Sequence, residues 1–167
     1  IQLSLEPLIG AISAGNCAVL KPSAYAPACS HALKELIAAC LPQEWVTVVE
    51  GGRAENQALL EQPFDYIFFT GSVAVGRHVM EMAARNLTPV TLELGGKSPV
   101  IVTADADLPL AARRIIFGKL LNAGQTCVAP DYLLVERSVQ EKLTGLLQQE
   151  ITHFLGQTPL DHPDYPR

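Results

Sequence analysis

Short, continuously apolar segments alternate along this chain with segments whose apolar residues recur at helical spacing. The apolar segments end at Gly or Pro and are rich in β-branched and aromatic residues, which favours strands. Strands that are apolar throughout and alternate with amphipathic helices are typical of a parallel sheet covered on both faces. The sequence therefore predicts an α/β fold with an open, doubly wound, mostly parallel, Rossmann-like sheet.

The element boundaries follow from this pattern and from the glycines and prolines that interrupt it. Strands are predicted at residues 18–21, 46–49, 66–69, 90–94, 100–102 and 132–135, and helices at residues 7–15, 27–40, 55–61, 73–85, from Asp105 or Asp107 to about 116, and 139–155. One apolar face of the second helix is predicted to contain Cys29, Leu33, Leu36, Ile37 and Cys40. Residues 156–167 are predicted to be loop.

The pattern changes after residue 103, which predicts two parts. Residues 1–94 are assigned to the Rossmann-like part, and residues 95–167 to the beginning of a second α/β subdomain. The chain opens on Ile1 rather than Met and stops shortly after a predicted helix, so we expect it to be an internal piece of a longer protein.

Composition excludes several classes of protein. The chain has 49% hydrophobic and 17% charged residues, which argues against disorder. Its net charge is -5 and no basic run exceeds Arg113-Arg114, so we expect no nucleic-acid partner. No segment approaches the length of a membrane span, and the first residues lack the pattern of a signal peptide, so we expect neither element in these residues.

The four cysteines lack the spacing of a disulfide framework or a zinc site, which favours a reducing, cytoplasmic setting. Cys17 lies in a small-residue turn, whereas Cys29 and Cys40 are predicted to pack on an apolar helix face. Cys127 lies in a loop without apolar periodicity, the context in which a nucleophilic thiolate is accessible. A structural cysteine is the alternative interpretation of Cys127.

Glu93 is a carboxylate inside an apolar predicted strand. Burial there is expected to raise its pKa towards the range of a general base, and a structural ion pair is the alternative. Residues 71–76, from Gly71 to Gly76, join a strand to a helix whose N-terminus could bind a phosphate, or they form an ordinary turn. Lys21 follows the first strand, where α/β sheets bind ligands, or it is simply a solvated lysine. His78 and Glu81 match a metal motif only in part, and a solvated helix face is favoured.

Several motifs in order along the chain resemble the aldehyde dehydrogenase family, and their wording is similar to its class 3 branch. They are PLIGAI at residues 7–12, VLKPS at 19–23, FTGS at 69–72, LTPV at 87–90, LELGGKSP at 92–99 and GQTCVAPDY at 124–132. The resemblance implies about a third of a family subunit: most of the NAD(P)-binding domain and the start of the catalytic domain.

The resemblance also implies roles for individual residues. Cys127 would attack an aldehyde to give a thiohemiacetal, which loses hydride to the nicotinamide and becomes a thioester, and Glu93 would activate the hydrolytic water. The cofactor would be NAD or NADP, and the intact protein a homodimer. Its binding residues would be Lys21 at the adenosine ribose with Pro22 beside it, Gly71 and Ser72 at the pyrophosphate, Val75 at the adenine, Gly76 in the turn, and Leu94.

Three features depart from the family pattern. Ala24 stands where an acidic residue usually binds the ribose hydroxyls, the oxyanion asparagine would lie before Ile1, and the nicotinamide-ribose glutamate would lie beyond Arg167. With Ala24 and Lys21 at the ribose, we expect use of both NAD and NADP within roughly tenfold. Glu50, at the end of the second predicted strand, is an alternative acidic contact.

Two other functions remain open. A CoA-acylating or phosphorylating relative would use the same cysteine without a hydrolytic base, and LELGG at residues 92–96 argues against it. A nucleotide-binding or subunit-interaction module without catalysis is favoured by the missing asparagine and the missing C-terminal third. The sequence does not identify the aldehyde.

Overall fold

The computed structural model describes residues 1–163 and 165. The chain divides into two compact units, Ile1–Leu94 and Gly95–Arg167, which are described separately. The predicted loop at residues 156–167 contains one 3₁₀ turn, Pro159–Asp161, and residues 164, 166 and 167 of that prediction lie outside the described part.

The first unit contains four helices and four strands among its residues. In chain order these are α1 (Gln2–Ser13), β1 (Ala18–Leu20), α2 (Pro27–Cys40), β2 (Val46–Val48), α3 (Arg53–Leu60), β3 (Ile67–Thr70), α4 (Val73–Ala84) and β4 (Val90–Glu93). The second unit contains β5 (Ser98–Val102), α5 (Leu108–Leu120), β6 (Pro130–Val135) and α6 (Gln140–Leu155), with 3₁₀ turns at Leu121–Gly124 and Arg137–Val139.

The strands form three parallel pairs, each joined by a helix. β1 pairs with β2, β3 with β4, and β5 with β6, with α2, α4 and α5 in the respective connections. In the part of the chain that the structure describes, no ladder hydrogen bonds join one pair to another. Parallel pairing with a helical crossover is the βαβ arrangement, which confirms the predicted α/β class.

Each unit has its own small core. In the first unit, Leu8 of α1, Ile37 of α2 and Val46 of β2 are buried together. In the second, five buried residues from β5, α5 and α6 pack together: Val102, Leu108, Ala112, Ile115 and Leu143. In these two clusters, helices cover one face of the β1–β2 pair and one face of the β5–β6 pair.

The predicted covering of both strand faces is incomplete within the residues that the structure describes. Exposed apolar side chains occur on β1, β3, β5 and β6. They are Val19 at 43% exposure, Phe68 at 46%, Ile101 at 71% and Leu134 at 52%.

The predicted apolar face of α2 is also partly wrong. The helix has the predicted bounds, but Ser30, Leu33 and Ile37 are buried, whereas Cys29, Cys40 and Leu36 are exposed. Ser30 tolerates burial because its hydroxyl lies 2.8 Å from the carbonyl of Ser23 and can donate to it. A polar residue thus replaces the cysteines on the buried face.

Two helix boundaries differ from the predictions, and one alternative is decided. α1 begins at Gln2 and contains Pro7, although a proline inside a helix lacks one N–H donor and its ring crowds the carbonyl four residues earlier. α5 extends to Leu120, and Asp107 rather than Asp105 is its N-cap, since its Oδ1 accepts a hydrogen bond from Leu110 N at 3.1 Å.

None of the described helices is long and apolar enough to span a membrane.

Candidate active site and cofactor site

The candidate cofactor residues of the first unit lie at the carboxyl ends of its strands. Lys21 and Pro22 follow β1, Gly71 and Ser72 follow β3, and Leu94 follows β4. Open α/β sheets bind ligands at this edge, because the strand ends and helix N-termini meet there. These candidate residues are far apart in sequence because each follows a different strand of the first unit.

Lys21 is half-buried and hydrogen-bonded, so the alternative interpretation of Lys21 as a simply solvated lysine is wrong. Its Nζ donates to the carbonyls of Gly51, at 2.7 Å, and Pro22, at 2.8 Å, and so links the ends of β1 and β2. Desolvation by burial lowers the pKa of Lys21, although the nearby Glu55 carboxylate opposes this shift. An ammonium group has three N–H donors, so one remains for a ligand.

The turn before α4 has the geometry of an anion site. Ser72 is the N-cap, and its Oγ accepts from Val75 N at 3.3 Å. The first turn contains no acidic residue, so no side-chain carboxylate there competes for the free N–H groups of the helix start. Gly71 donates its N–H to the carbonyl of Glu93 at 3.0 Å, and a Cβ at Gly71 would overlap the Phe69 ring.

Val75, Gly76 and Leu94 lie around the same helix start. Val75 is 47% exposed, while Gly76 is buried. A Cβ at Gly76 would lie 2.8 Å from Cδ2 of Leu94, so glycine allows the helix to approach the end of β4. The structure thus brings Gly76 and Leu94 together.

Glu93 is exposed, and the expectation of a buried carboxylate is wrong. It is the last residue of β4, and the three strand residues before it are each partly buried. The apolar neighbours Leu92 and Leu94 are each partly buried. A carboxylate at a strand end can therefore remain in water although its neighbours in sequence are apolar.

Cys127 is exposed in the second unit, in a turn closed by a bond from Ala129 N to the carbonyl of Thr126 at 3.0 Å. The backbone carbonyl of Cys127 accepts from Ser98 Oγ at 3.1 Å. A Cβ at Gly96 would overlap that same carbonyl. The loop is therefore held by its backbone against the segment that leads into β5.

A left-handed turn precedes the cysteine loop. Asn122, Ala123 and Gly124 have φ values of 51°, 58° and 71°. This region is costly for alanine, and it occurs mainly where surrounding contacts enforce it. Here the side chain of Asn122 donates to the carbonyl of Gln125 at 3.0 Å, and Gln125 N donates back to the carbonyl of Asn122 at 3.0 Å.

Sequence reasoning missed several contacts of these loops. Ser98 and Gly96 support the cysteine loop, and Asp131 lies 3.4 Å from Lys97 and 3.8 Å from Lys119. Gly96 is the second glycine of the LELGGKSP motif. The two adjacent glycines are visible in the sequence, but Cys127, which Gly96 contacts, lies about thirty residues later. A local sequence pattern could therefore not identify this contact.

The described residues contain no group of three or more His, Cys, Asp or Glu side chains that could hold a metal ion. His78, half of the partial metal motif, instead contacts Oε1 of Gln57 at 3.1 Å. This contact is consistent with the interpretation of His78 and Glu81 as part of a helix face.

Comparison with known proteins gives the family. The model of the aldehyde dehydrogenase family matches residues 1–164. Aldehyde dehydrogenase family 3 member B1 of Mus musculus is 51% identical over 167 residues, covering 100% of this chain and 36% of the relative. The chain spans about a third of the length of the curated relatives it matches.

Two solved structures are similar in fold. The substrate-bound state of Staphylococcus aureus AldH has a TM-score of 0.87 at 51% identity, over 99% of this chain and 36% of that one. A Mycobacterium tuberculosis aldehyde dehydrogenase complexed with NAD+ has a TM-score of 0.78 at 39% identity, over 90% of this chain and 32% of that one. From motif, fold and family model together, the chain belongs to the aldehyde dehydrogenase family.

Proposed function

We propose that this chain supplies the nucleophile and most of the dinucleotide site of an enzyme that oxidises an aldehyde to a carboxylic acid with NAD or NADP. The activity is proposed for a polypeptide that also carries the parts present in its longer relatives, called here the full-length enzyme. The observation that carries the proposal is Cys127, an exposed thiol whose loop is fixed through its own carbonyl.

The chemistry begins at Sγ of Cys127. As a thiolate, it attacks the aldehyde carbon, forms a C–S bond and gives a thiohemiacetal. Bound NAD or NADP would supply the hydride acceptor, so that the carbon held by Cys127 could lose hydride and become a thioester. The exposure of Cys127 supports the first step because the thiol is open to a substrate.

Glu93 is assigned to the second half of the reaction. Its carboxylate takes a proton from water, the hydroxide oxygen attacks the thioester carbon, and the C–S bond breaks to release the acid and the thiolate. The exposed position of Glu93 at the end of β4 supports this role, since water can reach it.

The residues of the first unit fit a dinucleotide. The helix start at Ser72 offers N–H groups to a pyrophosphate, and the absence of a side chain at Gly71 leaves the backbone open. Lys21 retains a donor for a ribose hydroxyl beside Pro22, and the exposed Val75 offers an apolar contact for adenine. The M. tuberculosis relative was solved in complex with NAD+, which supports a dinucleotide as the cofactor.

Replacement of Cys127 tests the proposal directly. In the full-length enzyme, Cys127→Ser should lower the rate of aldehyde oxidation by at least about a thousandfold, as loss of a nucleophile does in other enzymes, while NAD still binds. Cys17→Ser, which removes another exposed thiol, is the matched control and should keep its activity. Full activity in Cys127→Ser would end the assignment.

The acyl acceptor separates hydrolysis from transfer. If Glu93 activates water, the product is the free acid even when CoA or phosphate is present, whereas an acyl-CoA or acyl-phosphate product would favour a CoA-acylating or phosphorylating relative.

The proposal also includes an oligomeric state and a compartment. The class 3 resemblance implies that the full-length enzyme is a homodimer. The four free cysteines support a reducing, cytoplasmic setting.

A further inference from the structure

A small open cleft lies between the carboxyl ends of β1 and β2 in the first unit. Its volume is about 120 Å³. This is the space of about four water molecules and is smaller than a pocket for a whole cofactor, so only one part of a ligand fits. It is lined by Ser23, Ala24, Pro27, Ser30, Glu50 and Gly51.

Glu50 carries the one charged side chain of this lining. Ala24, on the other strand end, has no polar side-chain atom, and the Ser30 hydroxyl already lies 2.8 Å from the carbonyl of Ser23. A ligand hydroxyl that enters the cleft thus has the Glu50 carboxylate as its strongest side-chain acceptor.

The carboxylate of Glu50 is held in place by α2. Its Oε2 lies 3.0 Å from Lys34 Nζ, and its Oε1 lies 3.3 Å from His31 Nδ1. Each carboxylate oxygen has two lone pairs, so both retain acceptor capacity. The hydrogen bond from Lys34 is the largest cause of a lowered Glu50 pKa, which keeps the group ionised at neutral pH.

We propose that Glu50 is the residue that selects NAD over NADP, by accepting the adenosine ribose hydroxyls in this cleft and repelling a 2′-phosphate. This inference rests on the proposed dinucleotide-dependent function. In Rossmann-like folds, an acidic side chain after the second strand binds the ribose 2′-hydroxyl, and Glu50 follows β2. Glu50 thereby supplies the carboxylate that Ala24 lacks.

The same charges predict what happens without Glu50. Lys34 and His31 are now paired with a carboxylate, and His31 also lies 3.6 Å from Glu35. If Glu50 becomes neutral, Lys34 loses the counter-ion that lies 3.0 Å from its Nζ, and its charge is left to attract a 2′-phosphate bound in the cleft. The preference should therefore shift towards a nucleotide that carries a 2′-phosphate.

Two nucleotides without a nicotinamide differ only at the 2′ position of the ribose, so the ratio of their affinities reports on this cleft. Dissociation constants of 5′-AMP and adenosine 2′,5′-bisphosphate are measured by calorimetry, and their ratio is compared between variants. Glu50→Gln keeps the shape of the side chain and should improve the relative binding of the bisphosphate by about tenfold, equivalent to about 1.4 kcal/mol. Glu35→Gln removes the other carboxylate near His31, outside the cleft, and should leave the ratio within about twofold.

Lys34→Gln keeps the test decisive if Glu50→Gln folds poorly, and a double variant adds a rescue experiment where Glu50→Gln folds. Lys34→Gln removes the cation and should shift the ratio against the bisphosphate by about threefold, the size expected for a partly exposed charge. Adding Ala24→Glu to Glu50→Gln should restore discrimination, because a carboxylate returns to the opposite side of the cleft.

The inference is overturned if 5′-AMP binds but the ratio stays within about twofold in Glu50→Gln, or if neither nucleotide binds the unaltered protein. Either result leaves the Cys127 test untouched. Conversely, an active Cys127→Ser enzyme would refute the proposed catalysis while the nucleotide ratio still reported on Glu50.

Discussion

At the scale of single residues, the four cysteines share exposure but differ in backbone surroundings. The carbonyl of Cys127 receives a bond from Ser98, and Gly96 lies against it. Cys29 and Cys40 lie on the exposed side of α2, so their side chains add little to the core. Exposure of the thiol therefore does not distinguish Cys127 from the other cysteines, whereas the backbone contacts that fix its loop do.

Replacement of the helix cysteines should consequently be mild. Cys29→Ser and Cys40→Ser are each expected to change the free energy of unfolding by less than about 0.5 kcal/mol, as surface substitutions usually do. Urea denaturation followed by circular dichroism measures this. A loss above about 2 kcal/mol, the size for a buried apolar side chain, would mean that these thiols are packed after all.

Glu93→Gln should affect the second half of the reaction selectively. The amide keeps the shape of the side chain but cannot take a proton from water, so the thioester should form and persist. In the full-length enzyme, rapid mixing should show a burst of reduced cofactor followed by a steady state slowed by about a hundredfold or more. Equal loss of burst and steady state would instead indicate that Glu93 supports the structure or the first step.

At the scale of elements, the approach of the cysteine loop to the start of β5 depends on Gly96. A Cβ there would overlap the backbone carbonyl of Cys127, whereas a Cβ at Gly95 meets open space. Gly96→Ala should displace the loop and lower kcat of the full-length enzyme by about a hundredfold, the cost of a misplacement near 1 Å. Gly95→Ala is the adjacent control. Comparable rates in the two variants would contradict the positioning role.

The start of α3 should contribute to acid sensitivity. Hydrogen bonds from the backbone N–H groups of Glu55 itself and of Gly52, the latter at 2.6 Å, lower the pKa of the Glu55 carboxyl. A lowered pKa in the folded state stabilises the fold above the ordinary value of 4.5, and this contribution is lost as pH falls through the folded-state pKa. Glu50 and Asp105 shift in the same direction.

Glu55→Gln should therefore lower stability at pH 7 and flatten its decline on acidification. Unfolding midpoints between pH 7 and about pH 3 measure both effects. Glu61→Gln, which removes a carboxylate that bonds the Gln57 side chain of the same helix, is the control. An unchanged pH profile in Glu55→Gln would show that the capping bond does not set the acid response.

At the scale of the whole molecule, the sequence predicts what is local and misses what is distant. The strand and helix positions follow from nearby spacing, so all six predicted strands and the bounds of α2 agree with the structure within about two residues. Glu93 is exposed although its neighbours are apolar, because exposure depends on where β4 ends. The contact between Gly96 and Cys127 joins residues far apart in sequence, which no local pattern reveals.

The uncovered strand faces lead to the last prediction. Ile101 of β5 is 71% exposed beside Val102, which is 3% exposed, so one strand presents apolar side chains to both solvent and core. The 167-residue chain by itself should thus bind the dye ANS, and we expect no aldehyde oxidation, since it covers 36% of its relative. Aldehyde-dependent cofactor reduction by this chain would refute the expectation of inactivity.

Neighbouring substitutions on β5 separate the surface from the core. Ile101→Thr keeps a β-branched side chain on the exposed face and should reduce ANS fluorescence with little change in the unfolding free energy. Val102→Thr places a hydroxyl in the core of the second unit and should cost about 1–3 kcal/mol. If Ile101→Thr destabilises the chain as much as Val102→Thr does, the outer face of β5 is covered in solution, and the prediction of an open apolar surface is wrong.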